Sequence, residues 1–286
     1  MLGLIDIGGT KLLAAVAGRE PPPYRLVRAA TPGNAALEVV ATMLEEAAAG
    51  TALEAIGIAV PGPFDRAAGR LLAPPNLPPS WHHLPLAEAL GARFGCPVVL
   101  ENDANCAALA EAHHGAGRGL DALVYYTVST GIGSGVVRQG RLLVGRTDTE
   151  GGHQVLWPAW TGGPPCRCGG AGCLEALASG TGILDRFGCT AAELDDADAW
   201  ADVGRWLGLA VVNATALHDP DAVVFGGGVC GSWPRFWPAL DAEVTASLRL
   251  QARPRISQAL LGDDRNLWGV LVLLGQRAAM ARGNGC

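Results

Sequence analysis

The chain has 286 residues, 49% hydrophobic and 17% charged, enough for one large domain or two smaller lobes with substantial cores. Its formal net charge of -6, with Lys and Arg scattered rather than clustered, argues against a nucleic-acid partner. No apolar run is long and unbroken enough to span a membrane. Met1 leads into a strand interrupted by Asp6 rather than into a signal peptide, so the expected location is cytoplasmic.

Leu2 to Ile7 reads as a strand and Leu12 to Val16 as its continuation after the turn Gly8-Gly9-Thr10-Lys11. Glycines in such a turn let backbone N–H groups approach a phosphate. Thr10 and Lys11 add side-chain donors, and Asp6 suits a metal-bound water or a phosphate-linked metal. An ordinary strand turn has the same look. A third strand falls at Leu26 to Ala29. Asn34 to Ala49 fits a helix, capped by Asn34 and stopped by Gly50. A buried-type strand at Ala55 to Val60 ends at Pro61-Gly62-Pro63, and a helix is expected over Leu84 to Phe94. A short strand, Val98 to Leu100, leads into Glu101-Asn102-Asp103 and a helix over Ala104 to His114. Asp103, after an apolar strand and before a helix, sits where ligand-binding crevices form in α/β sheets. A carboxylate there suits the base that takes a proton from an alcohol as a phosphoryl group arrives. The plainer role for Asp103 is a helix cap, with Asn102 a turn residue.

Strands at Ala122 to Thr127 and Gly133 to Arg138 flank a second glycine-rich turn containing Thr130 and Gly131. That turn is either a tight hairpin or a phosphate wrap, and Arg141 to Val144 is expected to pair back through Gln139-Gly140. From Thr147 to Gly172 no clean period exists. At its end Cys166, Cys168 and Cys173 fall in eight residues, whereas Cys96, Cys106, Cys189, Cys230 and Cys286 are dispersed. With His153 the three thiols make a Cys₃His set that tetrahedral zinc accepts. Buried reduced thiols or a redox pair are the alternatives. Glu150, His153 and Glu175 flank this loop and, with Asn102, suit recognition of several sugar hydroxyls, although Glu175 also suits the first turn of a helix. A helix over Trp200 to Leu217, with Trp206 in its core, precedes a strand at Ala222 to Phe225. That strand runs into Gly226-Gly227-Gly228, a candidate floor for a nucleotide. A closing helix is expected over Asn266 to Met280. The Walker spacing is absent, and no early GxGxxG of the dinucleotide-binding kind follows the first strand.

Taken together, the stretches DIGGTK (6–11), PGPFD (61–65), PNL (75–77), ENDANCAALAE (101–111), STGIGSGVV (129–137), EGGH (150–153), CRCGGAGCLEALASG (166–180), DPDAVVFGGGV (219–229) and LGDD (261–264) resemble the ROK family of sugar kinases and related repressors. The resemblance spans nearly the whole chain. It implies an α/β fold of two actin-like, ribonuclease-H-like lobes around a central cleft, with a zinc-organised loop. The lobes are expected at 1–104 plus 266–286 and at 105–265. It implies ATP, Mg2+ and structural Zn2+, with Asp103 as catalytic base and Asn102, Asp103, Glu150, His153 and Glu175 on the sugar. Asp6 is expected near magnesium. Gly9, Thr10, Lys11, Thr130, Gly131, Gly227 and Gly228 are expected near the nucleotide, and His153, Cys166, Cys168 and Cys173 on zinc. A homodimer is expected, a tetramer being the other possibility, and sugar binding is expected to close the cleft. Family repressors carry an added N-terminal DNA-binding segment, which is not expected here because the phosphate loop begins at Asp6. Asp148-Thr149 replaces the small Ala-Gly pair of many relatives, and the loop bearing Trp157 and Trp160 is elongated, so both bear on the choice of sugar. The expected reaction is phosphorylation of a hexose 6-hydroxyl, glucose first. An N-acetylglucosamine or N-acetylmannosamine kinase is the near alternative, and a non-catalytic sugar-responsive regulator the distant one.

Overall fold

The computed structural model describes residues 1–18 and 24–283, and Cys286 lies outside them. Two compact units divide the chain, the first made of residues 1–110 and the segment from 261 onward, the second of residues 111–260.

In the first unit β1 (Leu2–Ile7), β2 (Lys11–Ala17) and β3 (Tyr24–Ala30) form an antiparallel meander. After α1 (Ala36–Ala48), β4 (Ala55–Val60) returns parallel to β1. A ribbon of β5 (Phe64–Asp65) and β6 (Arg70–Leu71) follows, then α2 (Leu86–Phe94). Next β7 (Val98–Asn102) runs parallel to β4 and passes directly into α3 (Asp103–His114). The sheet order is β3-β2-β1-β4-β7. Alternation along β1 and β2 sends Ile5, Ile7, Leu12, Ala14 and Val16 into one core and Leu4, Leu13, Ala15 and Ala17 into another. A sheet covered on both faces accounts for strands that read as continuous apolar runs.

The second unit repeats the plan. β8 (Ala122–Val128), β9 (Ile132–Arg138) and β10 (Arg141–Leu142) form the meander. An irregular stretch with short 3-10 turns at Gly151–His153 and Ala159–Thr161 leads to α4 (Leu174–Ala178), α5 (Gly180–Phe187) and α6 (Ala197–His218). β11 (Ala222–Gly226) is parallel to β8. α7 (Trp233–Ser247) precedes β12 (Arg255–Gln258), which is parallel to β11. The order β10-β9-β8-β11-β12 matches the first sheet strand for strand. The last helix, α8 (Arg265–Gly283), returns to the first unit and packs Leu267, Val270, Leu271 and Leu274 with Leu4, Leu13 and Ala59.

Several boundaries differ from those the sequence suggests. Asn34 does not cap α1. Ala35, at φ 54, sits before its first turn, and no side chain caps it. α6 begins at Ala197 rather than Trp200, because Asp196 accepts from the amides of Asp198 (2.8 Å) and Ala199 (3.1 Å). α7 is hidden in the sequence by Pro234 and Pro238, yet Phe236, Leu240 and Val244 form its buried stripe. It lies close to α6, where a Cβ on Gly208 would stand 2.9 Å from the Leu240 carbonyl oxygen. Trp206 is not enclosed in the core. It is half-buried beneath Trp157, the two rings stacked 5.8 Å apart.

Candidate functional site

In the first unit the carboxyl ends of three parallel strands line up, with Asp6 opposite Ala59 and Val60 opposite Asn102. Asp6 ends up 8% exposed on the α8 side of the sheet, accepting a hydrogen bond from Asn266 Nδ2 at 3.0 Å. Burial pushes its carboxyl up to about 6, against the pull of the Asn266 hydrogen bond and the charges of Lys11 and Arg265. The next residues form the β1–β2 turn. Gly8 N–H donates to the Lys11 carbonyl (3.0 Å), and Thr31 Oγ1 donates to the Gly8 carbonyl (2.5 Å). Gly9, Thr10 and Lys11 are exposed, and Lys11 Nζ pairs with Asp263 Oδ2 at 2.9 Å.

At the β7–α3 junction Asn102 Oδ1 accepts from the amides of Ala104 (2.9 Å) and Asn105 (3.1 Å), so Asn102 is the helix cap. Asp103 Oδ1 takes the Ala104 amide at 2.8 Å, and the residue remains half-buried. Glu101, which the motif reading passed over, is 2% exposed. A charged residue closing the apolar run Val98-Val99-Leu100 was the available signal, since a buried carboxylate demands partners. The thiol of Cys106 on the first turns of α3 is pushed up by burial and then by the charges of Glu101, Asp6 and Asp103, with Arg66 opposing them. Asp6 and Asp103 therefore share one electrostatic neighbourhood around this helix.

The second unit gathers the other set. The β8–β9 turn with Thr130 and Gly131 is closed by Ser129 N–H to the Gly131 carbonyl (2.9 Å) and tied to α5 by Thr181 N–H to the Thr130 carbonyl (3.1 Å). Glu175, in the first turn of α4, accepts the Ile132 amide through Oε2 at 2.9 Å. A Cβ on Gly131 would lie 2.5 Å from that oxygen, so a side chain at 131 would displace the carboxylate. Glycine is required again at Gly227, where φ is 95 and a Cβ would strike the Val128 carbonyl. Parallel pairing of β8 with β11 thus puts the 129–131 turn and the Gly227-Gly228 turn at the same end of the sheet. Glu150 precedes the turn Gly151–His153. Desolvation raises its pKa and the charges of Asp148 and Glu175 add to the rise, while His153 opposes it. Sequence reasoning also missed the residues that hold this turn. Ser134 Oγ accepts from Gly151 N–H (2.9 Å) and donates to the Thr149 carbonyl (3.2 Å). Gln154 Nε2 donates to the Gly151 carbonyl (2.8 Å), and Asn213 Nδ2 donates to Gln154 Oε1 (2.9 Å).

The irregular stretch is folded into a hydrogen-bonded knuckle. Cys166 N–H donates to the Gly170 carbonyl (2.8 Å), and Leu156 and Trp157 N–H both donate to the Gly172 carbonyl (2.8 and 3.2 Å). Ligand atoms of His153, Cys166, Cys168 and Cys173 all lie within 4.8 Å of one another. The His153 Nδ1 to Cys166 Sγ and the Cys168 to Cys173 Sγ separations are both 3.7 Å. Zinc bonds of about 2.3 Å in a tetrahedron require sulfur–sulfur edges of about 3.8 Å, so the donor set fits that ion. Burial pushes the Cys173 thiol up to about 12, so a metal bound there would displace its proton, whereas the Gly170 amide draws Cys168 down toward the thiolate that a metal takes.

Two mixed sheets of identical order, each flanked by helices, define an actin-like α/β protein. The profile of the ROK family matches residues 2–277, and the chain belongs to that family. A glucokinase of Thermotoga maritima is 41% identical over 185 residues, covering 63% of this chain and 57% of that protein. The bifunctional enzyme NanE/NanK of Brucella melitensis is 36% identical over 286 residues, covering 93% of this chain and 52% of its own length. Among solved structures, the ROK hexokinase from Thermus thermophilus superposes with a TM-score of 0.84 at 35% identity, covering 97% of this chain and 99% of that one. A ROK glucokinase from Streptomyces griseus, in complex with glucose and AMPPNP, gives 0.77 at 29% identity, covering 96% and 98%.

Proposed function

We propose that this chain transfers the terminal phosphoryl group of ATP to the 6-hydroxyl of a hexose, with glucose the preferred acceptor. The coarser activity, ATP-dependent phosphorylation of a sugar, is supported by the likeness to glucokinases and to a ROK glucokinase in complex with glucose and AMPPNP. The observation that carries the finer reading is the β7–α3 corner. Asn102 caps the helix, so Asp103 stands at its first position beside the carboxyl edge of the sheet. Asp103 would accept the proton of the attacking hydroxyl. Asn102, Glu150, His153 and Glu175 would bind the sugar's remaining hydroxyls. The β1–β2 turn with Gly9, Thr10 and Lys11, and the turns at Thr130-Gly131 and Gly227-Gly228, would hold the phosphates and nucleotide through backbone donors. Magnesium, when bound, neutralises phosphate charge, and Asp6 is the carboxylate suited to hold it. His153, Cys166, Cys168 and Cys173 would hold a structural zinc that orders the segments bearing Glu150 and Glu175. A cytoplasmic location fits a consumer of ATP, and a homodimer is the proposed assembly, to be measured by light scattering on the eluting protein.

The test is ADP release by purified protein with ATP, magnesium and a panel of glucose, mannose, fructose, N-acetylglucosamine and N-acetylmannosamine. Glucose is expected to give the highest kcat/KM, and no sugar-dependent release with any of them overturns the kinase reading. Asp103→Asn is expected to lower kcat by at least about 100-fold with sugar binding retained. Near-normal turnover would remove Asp103 from the base role.

An N-acetylhexosamine acceptor is the second reading. Thr149 is bonded to Ser134 beside Glu150, and the Asp148-Thr149 pair is bulkier than Ala-Gly, which alters the surroundings of that carboxylate. A higher kcat/KM for either N-acetyl sugar in competition with glucose would reverse the order. Tight sugar binding without turnover would identify the regulatory reading instead.

A further inference from the structure

Glu101 is buried beside the corner that presents Asp103, and the reaction as derived gives it no part. Its Oε1 is the acceptor for three donors: Arg66 Nη2 at 2.6 Å, the Asn102 amide at 2.9 Å and Asn105 Nδ2 at 2.9 Å. Oε2 takes Arg66 Nε at 3.2 Å, making the Arg66–Glu101 pair bidentate. Arg66 follows β5 on a turn closed by Ala68 N–H to Asp65 Oδ1 (2.9 Å), and its guanidinium lies over the Phe64 ring at 5.0 Å. Both ends of the pair are thus fixed by their own local structure.

A pair this enclosed, with the Glu101 side chain 3% and the Arg66 side chain 25% exposed, is weak as a stabilising device. The desolvation cost of the carboxylate offsets most of the attraction, and apolar residues would fill the space at least as well. What the pair does supply is direction. One carboxylate oxygen holds the amide of Asn102 and the side chain of Asn105, the residues on either side of Asp103 and Ala104. The Arg66 charge also offsets the negative charge that Glu101, Asp6 and Asp103 bring to the start of α3, as the surroundings of Cys106 register.

We propose that Arg66 is a positioning residue of this enzyme: through Glu101 it fixes the Asn102–Asp103 corner, so that the Asp103 carboxylate meets the acceptor hydroxyl in reactive geometry. The inference rests on the reading of Asp103 as the base. A base displaced by an ångström loses rate, while the sugar contacts of Glu150, His153 and Glu175 survive and only that of Asn102 shifts with the corner, so the effect falls chiefly in kcat.

The test compares Arg66→Met, Arg66→Lys, Glu101→Gln and Asp103→Asn at saturating ATP, with melting temperature measured in parallel to normalise for folded protein. Arg66→Met and Glu101→Gln are expected to lower kcat by about 10- to 100-fold with KM for the sugar within about threefold. Arg66→Lys is expected to recover only part of the loss, because an ammonium keeps the charge beside Glu101 but neither the bidentate geometry nor the stacking on Phe64. Should Arg66→Met not fold, Glu101→Gln decides, since it keeps the side chain's shape and one acceptor oxygen. Variants that melt earlier yet keep kcat within about twofold, or that lose only KM, would overturn the positioning role. If Asp103→Asn is inactive while both clamp variants turn over normally, the clamp alone falls. If Asp103→Asn itself turns over, the base reading falls and this inference with it.

Discussion

Burial makes the ionised form of Asp6, the form that could hold a metal, costly to the fold. Its carboxyl titrates near pH 6 against an ordinary 3.8, chiefly because it is buried. The folded chain therefore binds this proton more tightly than the unfolded chain. Stability falls as pH rises through the window from about 4 to 6, and the whole penalty, at most about 3 kcal/mol, applies above it. Asp6→Asn keeps an acceptor for Asn266 and removes the charge. In magnesium-free buffer the variant is expected to be more stable than the parent near pH 8 by about 1–2 kcal/mol, the difference closing near pH 4, while turnover with magnesium and ATP falls at least about 100-fold. Equal denaturant midpoints for the two proteins at pH 8 would count against the buried-charge account. Lys11 presents the opposite case. Its pair with Asp263 is exposed, so Lys11→Met is expected to cost under about 1 kcal/mol in stability, and any loss it causes is read in turnover with ATP.

At the scale of elements, the knuckle from Leu156 to Cys173 is irregular, with Leu156 packed on the core of the second unit and Trp157 stacked on Trp206. Its order comes from backbone hydrogen bonds and from the four donors that face one another. About one zinc per chain is expected by elemental analysis of protein prepared under reducing conditions without chelator. Cys168→Ser removes one donor at the exposed edge of the set. It is expected to lower zinc content, reduce the melting temperature by several degrees and raise KM for the sugar, because Glu150 and Glu175 lie on the segments that the knuckle joins. A zinc-free, active parent protein would dismiss the metal, and an unchanged KM in Cys168→Ser would separate the knuckle from sugar binding. The regular elements near the site were more legible than this loop. β1, β4 and β8 show in the sequence as short apolar runs ended by glycine, proline or polar residues. α7 does not show, because two prolines interrupt a stripe that Phe236, Leu240 and Val244 complete in space.

At the scale of the molecule, the first unit is discontinuous in sequence. One face of its sheet is covered by α8, whose Leu267, Val270, Leu271 and Leu274 are among the most buried residues of the chain. Ending the chain before residue 265 would expose Leu4, Leu13 and Ala59 together, a loss well beyond that of a single core truncation. The truncated protein is expected to be cut within residues 1–110 by a protease at concentrations that leave the parent intact, and to lose ATP turnover. Resistance of that segment would show that its remaining core suffices.

By itself the sequence determined the α/β character, the glycine turns after β1, β8 and β11, the four-donor cysteine and histidine set, and the carboxylate at the start of α3. Each is written locally, as an apolar run of fixed period, a glycine where a side chain would collide, or donors a few residues apart. Tertiary structure alone decided that Glu101 is clamped by Arg66 from across 35 residues, that Asn266 reaches Asp6 from the far end of the chain, and that Ser134 and Gln154 hold the turn beside Glu150. Those pairings leave no spacing to read. A buried polar group takes whichever partner the packing of distant segments delivers, and that choice is made only when the two sheets have closed over their cores.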